Sequence, residues 1–331
     1  MPGSGVPGAC TPLPNYMDKL VERENAPRNP LVAAPALAVQ FFLIPLAVVA
    51  IAVGVYVGFR SLLADSRSPH DYLAEIRNGG SSRAWPAALE LSAAMSDPKA
   101  RSDKQLASEL VKAFADSKEA DPRVRKYLAL AIGRVDPPLP TDAVDVLLAS
   151  LDVPEKPWTP DLWSRINGWT SEMAEAHIST IWALGASGDA SVVPKLQPLY
   201  ESPDAGVRKM VIYALGALPG DAQLVTLRTA LQDSTADVRW NAAVALARKG
   251  SHDGVSVLRQ MLDRQYVEST VKREVRLDED RDPIAEVIIS GLRAAATLQD
   301  KTLKTSVIGL SENDRSMKVR QAALEALRVI G

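Results

Sequence analysis

The sequence predicts an all-α protein: an α-solenoid of stacked helix pairs preceded by a single transmembrane helix. Three observations predict it. Apolar residues make up 47% of 331 residues while aromatic residues make up 5%. The interior must then be built mostly from Ala, Leu and Val, which favours helices in close contact over a sheet rich in Tyr, Phe and Ile. An uncharged stretch spans residues 31–59, and beyond it one helical pattern with Val-Arg near its start recurs.

Taken in chain order, residues 1–30 read as a flexible tail. The tail holds Cys10, the single cysteine of the chain, so neither an internal disulfide nor a cysteine-based zinc site can form. Residues 31–59 (LVAAPALAVQFFLIPLAVVAIAVGVYVGF) then carry no charge and one strongly polar side chain, Gln40. A membrane-spanning helix needs about 20 apolar residues, and this run exceeds that. A cleaved signal peptide has an apolar core of about 7–15 residues placed nearer the N-terminus, so an uncleaved anchor is expected. Pro35 and Pro45 should bend or loosen the helix. Gln40 either bonds a partner helix or sits near the interface.

Orientation is balanced on charge. Lys19, Arg23 and Arg28 lie on one side and Arg60, Arg67 and Arg77 on the other. The short tail is the easier part to translocate, and the large domain lacks disulfides, so the expected place of residues 60–331 is the cytoplasm. That domain is slightly acidic within a chain of formal net charge −2. It lacks the electrostatic footprint of a nucleic-acid binder.

The recurring pattern appears at residues 121–135 (DPRVRKYLALAIGRV), 202–218 (SPDAGVRKMVIYALGAL), 234–250 (STADVRWNAAVALARKG) and 314–331 (DRSMKVRQAALEALRVIG). Its arginines are Arg125, Arg208, Arg239 and Arg320, and the central pair is 31 residues apart. Periods of about 20–50 residues indicate a solenoid. Within 234–250, Ser234, Thr235 or Asp237 can cap a helix. Val238, Ala242, Ala245 and Leu246 form one helical stripe, and Gly250 ends the helix. Leu246 is expected to be buried and Lys249 exposed. Leu224, Leu227 and Leu231 share a face of the neighbouring segment. Two such helices cannot bury their apolar faces alone, so neighbouring units must stack. Degenerate copies at 81–95, 174–189 and 282–300 bring the expected number of helix pairs to about six or seven.

These units resemble HEAT repeats, in particular the short kind of the phycobilin-lyase-like group, over most of residues 69–331. The resemblance implies an α-solenoid that binds proteins. It also implies that Arg125, Arg208, Arg239 and Arg320, with an Asp before each, form a ladder between repeats. Asp121, Asp204, Asp237 and Asp314 are the resembling acidic positions, at variable spacing. Some members of that group attach or remove bilins, so a bilin-lyase-like enzyme is the catalytic alternative implied.

Two interruptions break the period, residues 152–171 and 265–283, and both are expected to leave the stack as loops. The first carries Trp158, Trp163 and Trp169. Tryptophan is favoured at interface hot spots and at membrane interfaces. These three either contact a partner or membrane, or fold back into the solenoid groove. His70, His177 and His252 stand far apart and are expected on helix surfaces, with no metal or triad spacing. The acidic run Asp278, Glu279, Asp280 and Asp282 lacks the glycine and ligand spacing of a calcium loop. Gly79 and Gly80 read as a turn. No catalytic, cofactor or metal residue is assigned. The expected function is a membrane-anchored scaffold for a protein partner, as an accessory subunit of a membrane complex. An envelope protein with the solenoid outside the cytoplasm is the alternative topology.

Overall fold

The computed structural model describes residues 44–63, 67–118, 120–151, 172–271 and 282–331. Every regular element among them is helical. The chain divides into two units, Met1–Ser66 and Arg67–Gly331.

The described part of the first unit is α1, Ile44–Leu63. Leu46, Val48, Val49, Ile51, Val53, Val55 and Tyr56 are exposed on it. The transmembrane helix predicted over 31–59 is not found among the described residues, where no helix is long and apolar enough to cross a membrane. The helix holds only the later part of the uncharged run and continues past Phe59 through Arg60 and Ser61. Residues 31–43 and the predicted tail 1–30 lie outside the described residues.

In the second unit, helix starts reuse one device. Asp103, Asp121, Asp204, Asp263 and Asp282 each accept a hydrogen bond from a backbone N–H of the helix they precede. Such a cap is worth about 1 kcal/mol. The helices are α2 (Pro69–Asn78), α3 (Ser81–Ala94), the short α4 (Pro98–Arg101), α5 (Lys104–Asp116), α6 (Pro122–Ile132), α7 (Ala143–Leu151) and α8 (Glu172–Ala186). There follow α9 (Val193–Leu196, flanked by 3-10 turns), α10 (Ala205–Ala217), α11 (Leu224–Ala230), α12 (Ala236–Arg248) and α13 (Val255–Met261). The chain closes with α14 (Arg264–Thr270), α15 (Pro283–Leu298), α16 (Lys304–Asn313) and α17 (Met317–Ile330).

They pair as α2/α3, α5/α6, α7/α8, α9/α10, α11/α12, α13/α15 and α16/α17, in two layers. One layer is the file of longer helices α3, α6, α8, α10, α12, α15 and α17, each packed on the next. The helices named first in each pair form the other. This is the α-solenoid expected from the repeat.

A common register runs through the long layer. Taking the repeat arginine as position zero, Arg125, Arg208, Arg239 and Arg320 occupy it on α6, α10, α12 and α17. His177 occupies it on α8, since HISTIWALG aligns with RKMVIYALG. On α15 the burial pattern puts Ala285 there. Helices touch through small residues at fixed positions. A Cβ added to Gly185, at position eight of α8, would lie 2.7 Å from Ala214 Cβ, at position six of α10. A Cβ on Gly216 would lie 2.4 Å from Ala245 Cβ, one repeat on. The stripe Val238, Ala242, Ala245 and Leu246 is buried as expected, and Gly250 follows α12 with φ +74°.

The second interruption is helical where it begins. Asp263 caps α14 and Val267 is fully buried, so residues 264–270 join the stack instead of leaving it as a loop. Residues 272–281 lie outside the described residues.

Candidate interaction surface

The repeat arginines act at the turns that start the long helices. Each guanidinium reaches back to a carbonyl of its own turn: Arg208 to Ser202 O at 3.0 Å, Arg239 to Asp233 O at 2.7 Å, Arg125 to Lys118 O at 3.3 Å, and Arg320 to Asp314 O. Arg208 also reaches forward, donating from Nε and Nη2 to the two oxygens of Asp233 at 3.0 and 3.1 Å. Asp233 in turn accepts from the Thr235 backbone N–H at 2.8 Å and the Tyr200 hydroxyl at 3.1 Å. Burial pushes the Asp233 carboxyl up, but these donors outweigh it and hold it below the ordinary carboxylate value. Burial, followed by the bond to Asp233, pushes the Tyr200 hydroxyl up to about 12.

The acidic member of the link therefore stands six residues before the arginine. That position is Asp233 before Arg239 and Asp314 before Arg320. Of the four acids the resemblance suggested, only Asp314 lies there, and it pairs with Arg264 at 2.6 Å. Asp204 caps α10, Asp237 pairs with Lys209 at 3.3 Å, and Asp121 caps α6 and pairs with Arg123 at 2.6 Å. They stand in or beside the first helical turn, too late to face the preceding repeat's arginine. Ala285 cannot make the forward link, and Arg264 of the intervening α14 serves Asp314 instead.

Other expected positions also move. His177 is buried, because it fills the arginine position of α8. His70 joins α2 to α5 through Glu109 at 3.2 Å and Asp103 at 3.3 Å, and the bond to Glu109, against some desolvation, raises its pKa. Lys249 is not simply exposed: its Nζ donates to Leu218 O and Gly220 O of the preceding repeat, both at 2.8 Å, and burial lowers its pKa. Trp158, Trp163 and Trp169 lie outside the described residues. Among the described residues no three His, Cys, Asp or Glu side chains are grouped to hold a metal ion.

Positions one, two and five lie on the outer side of the long layer, where Tyr213 is exposed, Trp182 and Val244 are half-buried, and Ser179 and Trp240 are buried. On α8 these positions are Ile178, Ser179 and Trp182; on α10, Lys209, Met210 and Tyr213; on α12, Trp240, Asn241 and Val244. Position five is thus Trp182, Tyr213 and Val244 on three successive helices. On the terminal α17 positions one, five and eight are Gln321, Glu325 and Arg328, all exposed. Position five is apolar from Leu130 on α6 through Val244 on α12 and polar from Ser290 on α15 onward. This pattern could have been read from the sequence once the arginine register was known; the arginines drew attention to themselves and away from it.

Residues 170–238 match the family model of HEAT repeats. The match takes in α8 to α11 and the start of α12. With the all-helical architecture of the described residues it supports a HEAT-repeat protein. No curated protein matched the chain.

Proposed function

We propose that this HEAT-repeat protein is a scaffold that holds a protein partner beside a membrane, and that its work is binding and not catalysis. The observation that carries the reading is the outward row of Trp182, Tyr213 and Val244. Tyr213 is exposed, while Trp182 packs over Gly133 at the end of α6 and Val244 is half-buried against the core, so the row offers one free aromatic flanked by partly covered apolar side chains. Aromatic side chains in such a row are the usual anchors of a protein interface.

Attachment through residues 31–59 is the second part of the proposal. The uncharged run and the exposed apolar side chains of α1 support it, and the solenoid is assigned to the cytoplasmic side. Trp158, Trp163 and Trp169 are proposed as further partner contacts, with Pro154, Pro157 and Pro160 restricting the chain around them.

The test is recovery of the full chain from membranes in a mild detergent, followed by mass spectrometry of what accompanies it. One protein is expected in near-stoichiometric amount, and its recovery should fall for Trp158→Ala with Trp163→Ala at unchanged melting temperature. Recovery of no specific partner overturns the scaffold reading. Release of the chain by alkaline carbonate overturns the membrane attachment. A reporter fused after Gly331 that works only when exported overturns the cytoplasmic assignment.

A further inference from the structure

In the layer of first-named helices, a cleft of about 540 Å³ lies between α13 and α16. Ser256, Arg259 and Gln260 line it from α13 and, at spacings i, i+3 and i+4, share one face of that helix. Ser306, Gly309 and Leu310 line it from α16 with the same spacing. The start of the inserted α14, residues 263–266, adds a third wall. A Cβ built on Gly309 would meet nothing within 4 Å, so the α16 wall leaves room beside its backbone.

One charge sets this cleft apart from the preceding joint. Arg228 and Arg259 are 31 residues apart, the interval of the repeat arginines Arg208 and Arg239, and they hold the same place on α11 and α13. Arg228 bonds Asp253 at 2.6 Å, the second residue after Ser251, which caps the following turn. The second residue after the equivalent cap, Asp300, is Thr302. Arg259 therefore meets no acid there, and its guanidinium makes no ion pair or hydrogen bond among the described residues. The other charged groups of the lining are engaged. Arg264 is held by Asp314 and Glu268, and Asp263 Oδ1 accepts from the backbone N–H groups of Gln265 and Tyr266.

We propose that this cleft binds a phosphodiester. Arg259 pairs with its single negative charge, and the hydroxyls of Ser256 and Ser306 and the amides of Gln260 and Gln265 donate to its oxygens. The site stands apart from the scaffold reading and does not rest on it. Three arguments select the ligand. One unpaired guanidinium balances a monoanion, whereas the dianion of a phosphate monoester would lack a second cation and would face Asp263. The donors stand on α13, α14 and α16, on different sides of the cleft. That arrangement suits a tetrahedral group better than a planar carboxylate, whose two oxygens one guanidinium can satisfy in its own plane. The volume lies within the range that encloses a small organic ligand, about 300–1,000 Å³, and exceeds what a phosphate group fills. Leu262, Tyr266 and Leu310 line the surplus, where the two ester substituents would lie. A lipid headgroup and a soluble glycerol diester both carry this chemistry.

The experiment titrates the full chain, in a nonionic detergent, with glycerophosphoglycerol, inorganic phosphate and acetate. Binding is read from the backbone amide signals of α13 and α16 in a ¹⁵N spectrum. The diester should bind most tightly of the three. Arg259→Gln should weaken it about tenfold or more. Gly309→Leu places a side chain in open space and should abolish binding at unchanged melting temperature. Arg228→Gln removes the same charge from the neighbouring helix and should leave the affinity unchanged. Nanodiscs of phosphatidylcholine, with and without phosphatidylglycerol, separate the two sources. Shifts at the same amides produced by phosphatidylglycerol assign the site to a lipid; shifts that appear only when the glycerol diester is added assign it to a soluble ligand.

Equal affinity in wild type and Arg259→Gln, or binding retained in Gly309→Leu, overturns the site. Equal weakening by Arg228→Gln reduces the binding to general surface charge and overturns it too. Acetate or inorganic phosphate bound as tightly as the diester overturns the choice of ligand. No response to the diester in detergent or to phosphatidylglycerol in nanodiscs leaves nothing of the proposal.

Discussion

The joint between α10 and α12 and the joint between α12 and α15 are built from the same repeat and end differently. In the first, Gly216 stands over Ala245 so closely that no Cβ fits between them. In the second, position eight of α12 is Ala247, and position six of α15, Gly291, meets Met261 of the other layer, with an added Cβ 2.9 Å from Met261 Cβ. Met261 also lines a cavity of about 480 Å³ on the outer side of the long layer. The turn chemistry differs as well. Arg208 and Asp233 tie the first joint directly, whereas at the second Arg239 donates to the Tyr266 hydroxyl of the inserted α14 at 3.2 Å, and Arg264 of α14 reaches on to Asp314 before α17. In this stack a joint is therefore closed or open according to a few register positions, and the inserted α14 stands where the joint is open.

The largest effects should come from breaking the closed joint. Leu246→Ala removes a fully buried side chain of α12 and should cost about 2–5 kcal/mol in equilibrium unfolding by denaturant. Asp233→Ala removes the acid that Arg208, Tyr200 and the Thr235 amide share and should cost about 3 kcal/mol, because the guanidinium loses its partner in a largely buried site. The Asp233 carboxyl titrates below its ordinary value of 3.8. Its contribution is thus present above that value and lost as pH falls through the lower folded one. Acid unfolding of Asp233→Ala should accordingly be shallower than wild type; equal pH dependence would show that the link carries no charge-dependent stability.

A matched pair of glycine variants sharpens the comparison. Gly216→Ala must push apart two backbones through Ala245 and should lower stability by about 1–3 kcal/mol. Gly291→Ala meets the side chain of Met261, which is long and can turn aside, so its cost should be smaller. Equal losses in a thermal melt would mean that the second joint is as tightly closed as the first.

Much of this was legible in the sequence, and the rest was hidden for definite reasons. Val238, Ala242, Ala245 and Leu246 announced their stripe because helical period and apolar type agree. The expected six or seven pairs followed from four copies of Val-Arg and three degenerate copies without it, and seven pairs are present. His177 was misplaced because an imidazole does not look like a repeat arginine, although the residues after it align without a gap. The acid of the link was misassigned because Asp is common in helix caps, so Asp204 and Asp237 competed with the position that matters. Lys249 was placed on the surface because its two carbonyl partners, Leu218 and Gly220, belong to the preceding turn. The cavity was illegible for a similar reason: Met210, Tyr213, Trp240 and Val287 come together only when three helices are stacked.

A third joint, between α2 and α5, responds to pH. His70 is partly exposed, and its bonds to Glu109 and Asp103 raise its pKa above the ordinary 6.5. A raised histidine pKa gives stability that is fully present below 6.5 and lost as pH rises through the folded value. Amide hydrogen exchange in residues 69–78, corrected for intrinsic rates, should therefore quicken between slightly acid and mildly alkaline pH. The closed joint at Gly216 should not respond in this window. His70→Gln should remove the dependence; its persistence in that variant would assign the change to another group.

The smallest expected effect is at Trp240, and it separates a residue that leaves the second joint open from one that closes it. Trp240→Phe loses part of a buried ring, which in a well-packed core costs about 1 kcal/mol. The same change removes an indole N–H that has no acceptor, and relieving such an orphan returns a comparable amount. The two nearly cancel, so the unliganded chain should unfold within about 1 kcal/mol of wild type. A residue kept for packing, with its N–H satisfied, would show a clear loss instead, because replacement would then cost both ring and hydrogen bond. Denaturant unfolding of the Trp240→Phe chain, set beside Leu246→Ala on the same helix, reads the difference directly. A loss approaching that of Leu246→Ala would mean that Trp240 closes the joint.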